Sequence, residues 1–222
     1  NGWDIKRLVK QLVSSATYRQ SARVIKKALE KDPENIYYSR APRNRLKAEF
    51  IRDMVLSTSG LLVPVIGGPS VKPYQPDGLW ESATSGRGVL ATYEQDKGAD
   101  LYRRGMYTFI KLTVPPPSMI LFDASNRDQC EVKRLQTNTP LQALAMMNDP
   151  AVLEASRVFA QKLLETDKDA YANMEKAFRR ILCRKPTPKE LNMLKEYFSQ
   201  QLELFEKKQL NAEATLKVGE YP

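Results

Sequence analysis

The densest group of polar side chains in the chain lies between residues 122 and 138. The candidate ligand-binding residues there are an acid, two guanidinium groups, a hydroxyl and an amide: Asp123, Arg127, Arg134, Thr137 and Asn138. Arginine suits sulfate or carboxylate, because its planar fork donates to two oxygens at once. The cluster therefore predicts either a site for an anionic ligand or a network in which these groups satisfy one another.

Neighbouring residues with capping roles favour the network. Thr139 and Gln142 have the spacing of a capping box, and Asp149 stands immediately before a proline at the next helix start. Either arginine of the cluster is close enough in sequence to pair with Asp123. We expect a structural network, with the anionic ligand site as the alternative.

The chain has no histidine, and its two cysteines, Cys130 and Cys183, are far apart in sequence. These facts exclude Ser-His-Asp and Cys-His catalysis, histidine metal sites and haem attached through Cys-x-x-Cys-His. We expect no metal and no cofactor in this chain. A lone cysteine pair permits a disulfide without predicting one. No catalytic residue can be identified, so whether the chain is an enzyme stays open.

Composition and charge place the chain among soluble globular proteins. Of 222 residues, 42% are hydrophobic and 27% charged, and the longest apolar runs fall far short of the roughly 20 residues of a membrane span. The net charge of +9 arises mainly in residues 1–60, which hold 13 Lys and Arg against 6 Asp and Glu. Such a region attracts nucleic acid, an anionic membrane or an acidic polysaccharide, or it is a solvated helical face, which we favour.

The elements that position the polar cluster are helical. Apolar periodicity and Gly60 as a stop predict helices over about 5–16, 24–29, 46–59, 140–148, 150–165, 170–183 and 188–206, with another beginning at Asp100. Asp4 is a candidate cap for the first of these, and Thr187 with Glu190 has the spacing of a capping box for the last. Strand signals are weak. We therefore predict an all-α, irregular helical domain of about six to eight helices.

A segment rich in proline and glycine, residues 63–98, interrupts the helical pattern. We expect it to be a long ordered loop, anchored by burial of the Trp80 side chain. Its Gly67-Gly68-Pro69 sequence is followed by further prolines, so it cannot open the helix that a phosphate loop requires. We expect residues 1–222 to form one helical domain that contains this loop.

Ordered motifs along nearly the whole chain resemble a known family. They include Ser15-Ala16-Thr17-Tyr18-Arg19-Gln20-Ser21, Gly67-Gly68-Pro69-Ser70-Val71, Tyr102-Arg103-Arg104, Phe122-Asp123-Ala124 and Thr137-Asn138-Thr139-Pro140-Leu141-Gln142-Ala143-Leu144. Together they are similar to the C-terminal domain of unknown function in planctomycete-type cytochrome-c-associated multidomain proteins of Planctomycetes and Bacteroidetes.

The resemblance implies a context rather than a reaction. It implies a fragment of a larger exported protein, located in the periplasm or at the cell surface, that also carries a cytochrome c segment and a middle domain. We expect a non-catalytic helical interaction domain whose partners are those domains or a cell-surface protein, without nucleic acid. The alternative is an enzyme or binding domain for an acidic or sulfated polysaccharide, since the family's context suggests polysaccharide utilisation.

Overall fold

A computed structural model describes residues 2–88, 90–125, 127 and 129–222. Regular structure in these ranges consists of ten α-helices, six of them at least nine residues long, two 3-10 helices and isolated β-bridges without a sheet. The all-α prediction is confirmed. The chain divides into two compact units, residues 1–45 and 46–222.

The first unit contains two helices, α1 (Ile5–Ser14) and α2 (Lys26–Lys31). Asp4 caps α1 as its position predicts, since its carboxylate accepts a hydrogen bond from the Arg7 amide at 3.0 Å. No residue of α1 is buried.

The second unit contains the other eight helices. They are α3 (Ala48–Ser59), α4 (Leu79–Thr84), α5 (Pro117–Leu121), α6 (Pro140–Asn148), α7 (Pro150–Thr166), α8 (Ala170–Leu182), α9 (Pro188–Glu206) and α10 (Ala212–Leu216). Helix α3 packs against α5 and α7, and α6, α7, α8 and α9 follow one another as packed neighbours. The bounds of α3, α6, α7, α8 and α9 agree with the predicted helices to within two residues. Helices α4, α5 and α10 were not predicted, and α4 lies inside the segment 63–98 that was expected to be a loop.

Local capping explains where three of these helices begin. Thr139 and Gln142 form the predicted capping box of α6, and Thr187 and Glu190 form that of α9. The Asp149 carboxylate accepts from the Ala151 amide at 2.8 Å and caps α7. Because proline occupies the first helical position in all three, no backbone donor is lost there.

The core of the second unit lies where α3 and α7 meet the segment around residue 101. Its buried side chains are Leu56, Leu61, Leu101, Tyr102, Ala155 and Val158. Val158 is wholly inaccessible to solvent, and Leu101 is 1% exposed. Helices α3 and α7, which are far apart in sequence, thus share one apolar core with the segment around Leu101.

The prediction of an α-helix beginning at Asp100 is wrong. Two short 3-10 helices, Gly98–Tyr102 and Gly105–Tyr107, stand in its place. Backbone pairing with the preceding loop prevents a longer helix, since the Val71 amide donates to Tyr107 O and its carbonyl accepts from the Phe109 amide, each at 2.8 Å. Gly105 also lies so close to α3 that a Cβ there would come within 2.7 Å of a backbone oxygen.

The Trp80 side chain, on α4 inside the proline- and glycine-rich segment, is 1% exposed. Its ring packs edge-on against Tyr93, with centroids 4.9 Å apart, and lies 5.8 Å from the Phe109 ring. The Lys111 ammonium stands 4.3 Å from the Trp80 ring. The predicted burial of Trp80 is therefore confirmed.

Candidate functional site

The structure divides the predicted polar cluster into separate groups. Asp123 and Thr137 lie together: the Thr137 amide donates to the Asp123 carboxylate at 2.7 Å, and the Thr137 hydroxyl lies 3.0 Å from both carboxylate oxygens. Arg127 and Asn138 are exposed. Arg134 is paired with Glu49 of α3 instead.

Gln142 extends the Asp123–Thr137 pair into a network. Its amide nitrogen donates to the Thr137 hydroxyl at 3.1 Å and to the Leu121 carbonyl at 2.9 Å, and its carbonyl accepts from the Thr139 amide. Gln142 is 5% exposed. These bonds connect the end of α5 to the start of α6, which is a structural arrangement.

Arg134 forms an ion pair with Glu49 of α3. One guanidinium nitrogen lies 2.9 Å from each carboxylate oxygen, and the two side chains are 29% and 22% exposed. This contact ties the segment before α6 to the first turn of α3. One of the two candidate guanidinium groups for an anionic ligand therefore already has a carboxylate partner.

A cavity lies between α3, α5, α6 and α7, with Tyr74 on its wall. It has a volume of about 70 Å³, against roughly 150 Å³ for an engineered apolar cavity that holds a benzene ring. Its lining is apolar apart from a few polar side chains, chiefly Arg52 and Asp149. A space of this size does not admit a sugar ring or a large cofactor.

Arg52 supports the fold beside this cavity. Its guanidinium donates to the backbone oxygens of Leu101, at 2.5 Å, and Arg103, at 3.3 Å. Burial lowers the pKa of Arg52, while the charge of Asp149 opposes that shift. Arg52 thus joins α3 to the end of the first 3-10 helix and to the residue that follows it.

Arg103 holds the glycine-rich loop. It is 4% exposed and donates to the Pro69 carbonyl at 2.7 Å and to the Gly67 carbonyl. Its guanidinium also stacks 4.0 Å from the Tyr107 ring centroid, and the Tyr107 hydroxyl accepts from the Gly67 amide. The arginine is bound to loop carbonyls, an arrangement that orders the segment rather than one that presents amides to a phosphate.

The apolar face of α1 is the clearest candidate for an interaction site. Its side chains are 41% to 61% exposed and follow helical spacing: Ile5, Leu8, Val9, Leu12 and Val13. The polar face carries Lys6, Arg7 and Lys10, and the helix contains no acidic residue. Trp3, just before the helix, is 92% exposed.

Neither a metal-binding cluster nor a membrane-spanning helix is found in the described part of the chain. Within those ranges, Cys, Asp and Glu side chains do not gather in groups of three or more that could hold an ion. None of the helices described there is long and apolar enough to span a membrane. Cys130 and Cys183 are exposed free thiols.

Sequence reasoning missed several residues that organise this region. Glu49 is the partner of Arg134, and Arg52 and Arg103 are buried arginines bound to backbone oxygens. The available signal was that Arg103 lies inside the ordered motif Tyr102-Arg103-Arg104. Local spacing does not reveal partners that are tens of residues apart.

Comparison with protein-family models gives a match. The family model PSD1, described as a protein of unknown function (DUF1553), matches residues 1–198. No curated protein and no solved structure matches the chain.

Proposed function

The chain belongs to the DUF1553 family, and we propose that it is a non-catalytic helical interaction domain of an exported protein that also carries a cytochrome c segment. The export, the extracytoplasmic location and the cytochrome are parts of this proposal. They rest on the ordered motifs given above. The interaction itself rests on one observation, the exposed apolar face of α1.

An isolated helix of ten residues is marginal in water, and most helical stability in proteins comes from packing an apolar face. Within α1 no residue is buried, although five apolar side chains share one face. Completing their burial would contribute about 1 kcal/mol for each side chain, since each is roughly half exposed. The helix therefore has the composition of one that is covered by a partner.

Charge identifies the kind of partner. Residues 1–45 contain eleven Lys and Arg against four Asp and Glu, and Lys6, Arg7 and Lys10 flank the apolar face. The matching surface is an apolar groove bordered by carboxylates. We propose that another domain of the same polypeptide provides this groove. Nucleic acid would match the charge alone and leave the apolar face without a role.

The experiment uses the natural polypeptide that carries this chain, with a photo-crosslinking amino acid in place of Leu12. We expect crosslinks to an apolar, carboxylate-bordered surface of another domain. Leu8→Glu in that protein should abolish them. Val24→Glu is the matched control, because Val24 is 45% exposed in the same unit but lies outside α1.

Other outcomes would overturn the proposal. Crosslinks confined to residues 46–222, or no crosslinks at all, would show that no other domain covers α1. Cosedimentation with phosphatidylglycerol vesicles that Leu8→Glu abolishes would assign α1 to a lipid surface instead. Retention on a heparin column that Lys6→Ser and Lys10→Ser abolish, without any crosslink, would assign the basic face to an acidic polysaccharide.

The alternative function, an enzyme or binding domain for acidic or sulfated polysaccharide, receives less support. It depends on the polar cluster, in which Arg134 is paired with Glu49, and Asp123 accepts from Thr137. An anion at Arg134 would have to compete with the Glu49 carboxylate for the guanidinium.

A further inference from the structure

Glu154, in the second turn of α7, is a buried carboxylate held by neutral donors. It is 1% exposed, and one of its oxygens accepts from the Tyr102 hydroxyl at 2.9 Å. The same oxygen accepts from the backbone amides of Glu220 and Tyr221, each at 2.7 Å. Since a buried carboxylate must be hydrogen-bonded to be tolerated, the two amides are essential to this arrangement.

The two amides belong to residues 217–222, which we call the docked segment. It has no helix or strand after Lys217. The Glu220 amide also lies 2.9 Å from the Tyr74 hydroxyl, and the Arg157 guanidinium donates to the Tyr221 carbonyl. The Gln95 side chain donates to the Glu220 carboxylate at 3.0 Å in an exposed contact, whereas the buried Glu154 oxygen binds only the backbone of the segment. Binding through the backbone is how extended peptides are commonly recognised.

Two side-chain requirements add selectivity. Gly219 has a φ of +88°, and a Cβ there would lie 2.3 Å from the Glu154 carboxylate, so another residue would be strained and would have to displace that carboxylate. Two positions later, the Tyr221 ring meets the Tyr102 ring edge-on, with centroids 6.3 Å apart. The segment that fits this site has glycine followed, after one residue, by an aromatic side chain.

The receptor side is buried and the docked segment is exposed. Glu154 lies on a 17-residue helix and Tyr102 belongs to the core, whereas Glu220 and Tyr221 are exposed residues. Residues 217–222 also lie outside the range that the family model matches. Exposed segments without regular secondary structure open locally at a smaller free-energy cost than core helices do.

We infer that Glu154, Tyr74 and Tyr102 form a binding site for extended peptides of the sequence glycine, any residue, aromatic residue. The docked segment occupies this site within the same chain. A segment of the same chemistry from another polypeptide competes with it. The inference is independent of the role proposed for α1.

The test titrates the peptide Lys-Val-Gly-Glu-Tyr-Pro into the full chain by isothermal calorimetry. Gly219→Val is the informative variant, because its added side chain unseats the docked segment while leaving the receptor residues intact. If the segment is docked about nine-tenths of the time or more, the variant should bind the peptide at least about tenfold more tightly than wild type. A control peptide with valine in place of glycine should not bind either protein.

Equal affinities of the two peptides, or no binding by Gly219→Val, would overturn the inference. Hydrogen exchange on the wild-type chain gives a second measurement that requires no variant. We expect added peptide to accelerate exchange of the Glu220 and Tyr221 amides, because it displaces the docked segment. If the Glu220 and Tyr221 amides stay as protected as those of α7 at saturating peptide, the peptide does not displace the docked segment.

Discussion

The Arg134 guanidinium contacts both carboxylate oxygens of Glu49, which lies 85 residues earlier in the chain, at 2.9 Å. This pair joins the irregular segment before α6 to the first turn of α3. Both side chains are less than one-third exposed. The pair is therefore screened less than a surface ion pair, although it is not fully removed from water.

Arg134→Ala should destabilise the chain by about 1 to 2 kcal/mol, because it leaves a partly buried carboxylate without its charged donor. Arg127→Ala is the matched control, since Arg127 is an exposed arginine of the same polar segment. It should change stability by less than about 0.5 kcal/mol. Chemical denaturation of the two variants beside wild type measures both. Equal effects would show that the pair with Glu49 contributes nothing.

Trp80→Ala should destabilise the second unit by about 3 to 5 kcal/mol, because it leaves a large cavity between the Tyr93 and Phe109 rings. Trp80→Phe keeps an aromatic ring and should cost much less. Limited proteolysis between Gly67 and Trp80 gives a local readout: Trp80→Ala should be cut rapidly there, and wild type should resist. Rapid cutting of the wild-type protein would contradict the anchoring role.

Stability should fall in acid because of the α9 capping box. The hydrogen bond from Arg184, followed by those from Thr187, lowers the pKa of Glu190 from 4.5 to about 2. A carboxylate whose pKa is lower in the folded state stabilises the fold above its unfolded pKa, and this contribution is lost as pH falls from 4.5 towards 2. Glu190→Gln should flatten the pH dependence of unfolding in that window. A slope identical to wild type would exclude this residue as its source.

An alkaline loss of stability is expected from Tyr74. Burial, followed by the nearby charge of Glu154, raises the pKa of its hydroxyl from 10.0 to about 12. Because the unfolded chain releases this proton first, stability present below pH 10 should decline as pH rises towards 12. Tyr74→Phe should lessen that decline. Tyrosinate absorbance would check the shift directly: a full set of tyrosines titrating near pH 10 in the folded protein would contradict it.

The features that sequence predicts well are local ones. Both capping boxes involve residues three positions apart, so Thr139 and Thr187 marked the starts of α6 and α9 without knowledge of the fold. The burial of Trp80 was also predictable, because a large aromatic in a proline-restricted segment gains most by packing.

Features set by distant partners were not predictable. The segment after Asp100 has helical periodicity, yet it pairs with the loop at Val71 and forms only short 3-10 helices. Glu154 is a charged residue in an amphipathic pattern, which favours exposure. Its burial depends on amides 66 and 67 residues later. Within the polar cluster, the spacing of Arg134 gave no sign of Glu49.

The contrast between the two tryptophans has a spectroscopic consequence. The chain has two, and they fall in different units: Trp3 is 92% exposed and Trp80 is 1% exposed. The emission spectra of the two side chains should therefore be distinguishable. Trp3 should emit at longer wavelength and be quenched by iodide, whereas Trp80 should emit at shorter wavelength and be protected from iodide. Each unit carries its own native optical reporter, so unfolding of residues 46–222 and the covering of α1 can be followed separately in one unlabelled sample.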